Sequence, residues 1–277
     1  MNFKCRICEN RDTKEFLIGN TPLIECRNCG AVFNKNMPSQ EFLENYYKKE
    51  YKISEEDFNG LEKRRIFRFP EQIELISKII HYQKPPAKIL DIGSDRGFFL
   101  DEARRFGYLV KGLEPLEQAA EYCKSIGIDV YNNLNQINET FDIITLWHSL
   151  EHHLVPKQSL EQIRNFLTDS GYLFIRVPAF DSLARKLFGN KWIWFQPENH
   201  YYHYSINSLS FVIESSGFSL VHIEHRKPNN RLTKLFNKLS NRTFQKYFKQ
   251  KISFKKKISR FYQDTAGVEI FAVAKKK

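Results

Sequence analysis

The chain has 277 residues, 42% of them hydrophobic and 27% charged, a balance that suits one large α/β domain with a small accessory module. It carries 43 Lys and Arg against 32 Asp and Glu, a net charge of +11, but thirteen of the basic residues fall between Arg226 and Arg260, where there is no acid. The rest is close to neutral, which excludes a uniformly basic nucleic-acid coat and leaves one local basic element.

Met1-Asn2-Phe3-Lys4-Cys5 has no apolar signal-peptide core, and no run approaches the ~18 apolar residues of a membrane span. Cys5 and Cys8 form one C-x-x-C pair and Cys26 and Cys29 a second, with 17 residues between them. Two thiolates on each of two tight turns complete a tetrahedron with no open position, the pattern of a structural zinc site in a reducing cytoplasm. Gly30 suits the second turn, and Phe16-Leu17-Ile18 with Leu23-Ile24 predict a short hairpin. So short a piece cannot bury a core alone, so zinc would fold residues 1–38 into a zinc-ribbon-like module. Cys123, in a helix predicted over Leu116–Ile126, reads as a packed core thiol.

Residues 39–277 form the second unit. Aromatic residues Phe42, Tyr46, Tyr47 and Tyr51 open it, and a helix follows from Glu62 to Tyr82, ending before Pro85-Pro86. Strands are predicted at Lys88–Ile92, Leu109–Glu114, Ile128–Tyr131, Phe141–Trp147, Gly171–Val177, Phe218–His225 and Val268–Ala274. Helices from Gly97, from Leu116, over Lys157–Leu167 and over Ile206–Ser215 alternate with them, which predicts a Rossmann-like, doubly wound seven-stranded sheet of parallel strands, closed by a last pair that would be a hairpin but for the insertion between them.

Asp91-Ile92-Gly93-Ser94-Asp95-Arg96-Gly97 carries a buried strand through a glycine turn into a helix. Gly93 permits the tight turn, Gly97 lets the chain pass close to a ligand, and Glu114 at the end of the next strand can accept hydrogen bonds from ribose hydroxyls.

From about Tyr46 to its end, the sequence resembles the class I S-adenosylmethionine-dependent methyltransferases, closest to the branch with an N-terminal C-x-x-C zinc module. The family's acid followed by G-x-G-x-G matches Asp91, Gly93 and Gly97, with Asp95 in place of the middle glycine. Gly112-Leu113-Glu114-Pro115, Phe141 to His152, Asn165 to Leu173, Pro197-Glu198-Asn199-His200 and Ser215-Ser216-Gly217-Phe218 match further motifs in order. The resemblance implies S-adenosylmethionine as cofactor, contacted by Asp91, Gly93, Asp95, Gly97, Glu114, Leu134 and Trp147. It also implies that Glu151 and His152 lie beside the methyl donor, with His200 on the acceptor side.

Methyl transfer from a sulfonium is an in-line displacement, and a hydroxyl acceptor needs a base near neutral pKa. His152 is the candidate base, with Glu151 orienting it; a capping or core role for His152 stays open. His148, His152 and His153 could also be read as a metal cluster, but their order is not the zinc-protease H-E-x-x-H. Tyr47 and Tyr51 are candidate covers for the cofactor, and Trp192-Ile193-Trp194-Phe195 reads either as an acceptor wall or as loop packing.

The basic insertion, 226–262, has Leu232, Leu235, Phe236, Leu239, Phe244, Tyr247 and Phe248 at helical spacing and reads as two basic amphipathic helices. A lid or homodimer element, an anionic membrane surface and RNA are its open uses. The expected activity is methyl transfer to a small or glycan-like acceptor, such as a nucleotide- or lipid-linked sugar, in the cytoplasm or at the inner face of the membrane. The competing readings are an RNA methyltransferase and a cofactor-dead binding scaffold. Against RNA base methylation, Trp147-His148-Ser149-Leu150 stands where an Asn/Asp-Pro-Pro-Tyr/Phe tetrapeptide would be.

Overall fold

A computed structural model describes residues 3–45, 60–226 and 269–277. Tyr46, Tyr47, Tyr51 and the basic insertion beyond Arg226 lie outside the described residues. The two cysteine turns flank a hairpin of β1 (Thr13–Ile18) and β2 (Thr21–Cys26), followed by β3 (Val32–Asn34) and helix α1 (Gln40–Asn45). Glu9 and Gly30, each just after the second cysteine of its pair, take left-handed backbone, so each turn folds back on itself. Glu9 N–H donates to the Cys5 carbonyl at 2.9 Å, and Gly30 N–H to that of Cys26 at 2.9 Å.

The remaining elements are α2 (Leu61–Tyr82), β4 (Lys88–Ile92), α3 (Phe98–Arg105), β5 (Leu109–Leu113), α4 (Glu117–Ser125), β6 (Asp129–Tyr131) and β7 (Phe141–Trp147). They are followed by α5 (Pro156–Arg164), β8 (Leu167–Pro178), α6 (Leu183–Phe188), β9 (Tyr202–His203), α7 (Ile206–Ser215), β10 (Phe218–Arg226) and β11 (Glu269–Lys276). Seven strands form one sheet in the order β10-β11-β8-β7-β4-β5-β6. The five from β8 to β6 are parallel, as βαβ crossovers require, whereas β11 pairs antiparallel with both β8 and β10. The sheet is thus mixed at that edge, where the last two strands form an antiparallel pair.

Both faces of the sheet are covered, so its strands read as continuous apolar runs. Leu90, Ile144 and Ile175 point into one core and Ile89, Ile143 and Phe174 into the other. Strand β8 begins earlier than the sequence predicts. Leu167 already pairs with Phe141, and a register shift between Phe141 and Ile143 absorbs the extra residues before Tyr172 pairs with Ile143.

The N-terminal module does not stand alone. Its sheet runs β1-β2-β3-β9, and β9 belongs to the larger unit, with Val32 opposite His203 and Phe33 opposite Tyr202. Cys5, Ile24 and Phe33 share one apolar cluster with Leu146 and Val177. The fold is a Rossmann-like α/β sheet with a small zinc-ribbon-like module built onto it. No helix among the described residues is long and apolar enough to cross a membrane.

Candidate functional site

The glycine turn sits at the carboxyl ends of β4 and β5, where open α/β sheets take their ligands. Gly93, Asp95 and Gly97 all have positive φ, at 77°, 48° and 67°. Asp supplies the middle left-handed residue because its short polar side chain tolerates that region. Gly97 is needed twice over, because a Cβ there would come within 2.9 Å of Cys123 Sγ. The turn is tied to the next strand: Gly93 N–H donates to the Leu113 carbonyl at 2.8 Å, and Asp95 N–H to Glu114 Oε2 at 2.8 Å. Glu114 Oε1 accepts from Leu116 N–H at 2.9 Å.

Burial pushes the Glu114 carboxyl up to about 7, although these backbone donors oppose it. Asp91, also buried, is likewise pushed up to about 7, while Thr145 Oγ1 donates to it at 2.6 Å. Thr145 was not singled out from sequence, yet a hydroxyl inside an apolar strand opposite a buried acid is a legible signal. Cys123 is fully buried, burial pushes its thiol up to about 12, and it packs under the turn as expected.

Leu134 opens a short 3-10 turn after β6 and is partly buried against the core. Trp147 ends β7 stacked on Phe271 and edge-on to Phe99.

Beyond β7 the chain turns sharply at His148, whose φ is 53°. His148 stacks on Trp194 with ring centres 4.6 Å apart, its Nδ1 3.3 Å from Glu151 Oε1 and its Nε2 3.0 Å from Glu269 Oε1. Burial and the Arg176 charge push His148 down, but the two carboxylates outweigh them and hold it above its ordinary value. Burial pushes Glu151 up, but the hydrogen bond and charge of His148 prevail and keep it below the usual carboxylate range. Glu151 therefore engages His148 and not His152 as expected. His152 is oriented instead by the Asn199 carbonyl, 2.8 Å from its Nδ1.

His200 lies edge-on to His152, ring centres 4.9 Å apart, with its Nδ1 2.9 Å from the Trp194 carbonyl. Burial lowers its pKa. The backbone joins the two segments, since Tyr201 N–H donates to the Glu151 carbonyl at 2.8 Å. Asn34, at the end of β3, fixes the same loop: its Nδ2 donates to the carbonyls of Pro197 at 2.6 Å and His200 at 3.1 Å. Nothing in the local sequence marks Asn34 for this. The Trp192–Phe195 run is mainly packing, with Trp192 buried beside Leu23 and Val32, Trp194 on His148 and Phe195 beside His203; only Ile193 is exposed.

The four cysteine sulfurs converge within 4.8 Å of one another, Cys5 to Cys29 at 3.6 Å and Cys8 to Cys26 at 3.5 Å. Around a tetrahedral zinc with Zn–S bonds of about 2.3 Å, sulfurs stand about 3.8 Å apart, so the set fits that ion.

Residues 63–223 match a family described as a methyltransferase domain. No curated protein matches the chain. Among solved structures, a chain of the complex between the Haloferax volcanii Trm112 methyltransferase activator and a methyltransferase is 9% identical with a TM-score of 0.57, over 87% of this chain and 99% of that one. An S-adenosylmethionine-dependent methyltransferase from Thermotoga maritima is 17% identical with a TM-score of 0.53, over 84% of this chain and 98% of its own. The plantazolicin methyltransferase BpumL in complex with SAH is 13% identical with a TM-score of 0.52, over 85% and 94%. At such identities the likeness is one of fold.

Proposed function

Because the chain belongs to the methyltransferase-domain family and is an S-adenosylmethionine-dependent methyltransferase, we propose that its acceptor is a small or glycan-like molecule methylated on a hydroxyl. The observation that carries this reading is the group of Glu151, His152 and His200 beyond β7, on a segment whose Ser149 lies against Gly93 of the glycine turn. A sulfonium donor is itself strongly electrophilic, so the chain's task is to align the acceptor and remove its proton.

S-adenosylmethionine, when bound, would supply an electrophilic methyl group on a sulfonium. Gly93, Asp95 and Gly97 shape the turn that would receive the cofactor, and Glu114 would accept from its ribose hydroxyls. Asp91, two residues before Gly93, accepts from Thr145 Oγ1 and so ties β4 to β7 just below the turn. Leu134 and Trp147 border the same end of the sheet. His152, half-buried and aimed by Asn199, is the member of the trio nearest solvent and the one an acceptor hydroxyl meets.

The four cysteines hold one structural zinc, which stiffens β3 and through Asn34 the loop carrying His200. Such a thiolate site suits a reducing compartment, hence the cytoplasm or the inner membrane face.

Incubation with S-adenosylmethionine labelled in the methyl group and a panel of nucleotide-linked sugars tests the acceptor class. His152→Ala should lower kcat by about 10²–10⁴-fold while the cofactor Kd, measured by calorimetry, stays within twofold. A wild-type rate in that variant would remove His152 from the chemistry.

A further inference from the structure

We propose that Glu151, His152 and His200 form a second metal site, apart from the four cysteines, which binds a divalent first-row cation with one position open to the acceptor. The inference rests on the hydroxyl-acceptor reading and deepens it: the trio acts on the acceptor through a cation, so that His152 serves as a ligand and not as the free base.

The two imidazoles are prepared as ligands. Each Nδ1 faces a backbone carbonyl, Asn199 for His152 at 2.8 Å and Trp194 for His200 at 2.9 Å. Those contacts place the ring proton on Nδ1 and leave the Nε2 lone pair for a cation, the arrangement in which protein histidines bind metals.

Glu151 gives an independent indication. It is completely buried, its Oε1 faces His148, and its Oε2 has no hydrogen-bond partner among the described residues. A buried carboxylate oxygen left unpaired is costly, and a cation between it and the two histidines satisfies it.

One ligand atom from each residue lies within 4.8 Å of the other two. Around zinc, nitrogen and oxygen ligands stand about 3.3 Å apart, so small side-chain rotations complete the site. The ligands belong to two segments already joined by the Tyr201–Glu151 backbone hydrogen bond, so the frame is fixed before any ion arrives. Two imidazoles and one carboxylate favour zinc, iron(II) or manganese over magnesium or calcium. Three protein ligands, where the cysteine cluster has four, leave a position for an exogenous oxygen.

An acceptor hydroxyl bound there loses its proton to solvent at lower pH than in water. Its oxygen then forms the new bond to the methyl carbon, the carbon–sulfur bond breaks, and the electron pair stays on sulfur.

The test counts zinc by elemental analysis on the full chain, after zinc loading and dialysis. Wild type should hold one more zinc per chain than His152→Ala, His200→Ala or Glu151→Gln. After cobalt substitution, the wild-type spectrum minus that of His152→Ala should show d–d bands without thiolate charge transfer, because the cysteine site is common to both. S-adenosylmethionine calorimetry and circular dichroism on the same samples identify folded variants; His152→Asn replaces His152→Ala if the latter is misfolded. Equal zinc content in wild type and the folded variants, with no cobalt difference spectrum, overturns the site. The count does not depend on cofactor binding, so failure of the methyl-transfer reading leaves it standing.

Discussion

Asp91 and Glu114 are buried carboxyls on adjacent strands, and burial moves both up to about 7. In the folded protein each holds a proton that the unfolded chain has already released. Their contribution to stability is therefore greatest at low pH and is lost as pH rises from the ordinary carboxylate range through about 7. Cofactor binding runs the other way, because ribose hydroxyls donating to Glu114 favour its ionised form. The S-adenosylmethionine Kd should fall roughly tenfold between about pH 6 and pH 8, and Glu114→Gln should flatten that slope and weaken binding. Asp91 titrates in the same window but faces Thr145, so a slope that survives in Glu114→Gln belongs to Asp91. Calorimetry across that range decides between them.

At the scale of elements, the contact between β3 and β9 decides how the module and the sheet work together. Asn34 donates to Pro197 and His200, and its Oδ1 lies 3.0 Å from His203 Nε2, so one buried side chain fixes both the loop before β9 and β9 itself. Asn34→Ala should cost about 2–3 kcal/mol in urea unfolding, since it leaves buried polar partners unmet. It should also lower kcat while leaving cofactor Kd unchanged, because His200 moves and the glycine turn does not.

The sequence showed the parallel strands and the turn after β4 clearly, because apolar runs bounded by glycine and proline are local signals. The cysteine spacing was equally legible. The β3–β9 pairing was not: two strands of three and two residues, separated by over 160 positions, carry no periodicity to read. The partner of Glu151 was hidden for a related reason. His148, three residues away, is turned towards it by its own left-handed backbone, which spacing alone does not reveal.

For the whole molecule, the net charge of +11 is a property of one insertion. Residues 229–260 carry eleven basic side chains and no acid, so deleting them brings the chain to formal neutrality. The strands on either side do not depend on that segment for their pairing. Phe218–Arg226 and Glu269–Lys276 are matched from end to end, and the pair nearest the insertion is closed by Arg226 Nη1 on Glu269 Oε2 at 2.5 Å. Both side chains are buried, and Arg226 also meets Glu74 of α2 at 2.9 Å, so the hairpin base is anchored to the helix across the sheet. A chain in which 229–260 is replaced by a short turn should therefore fold and bind S-adenosylmethionine with near wild-type affinity. If the insertion meets an anionic membrane, each basic residue near the surface contributes about 1 kcal/mol. Wild type should then sediment with vesicles containing acidic lipid, release them as salt is raised, and lose the interaction on truncation. Equal sedimentation of the two proteins would count against the membrane and leave the insertion as a lid or dimer element. Loss of cofactor binding on truncation would make it part of the site.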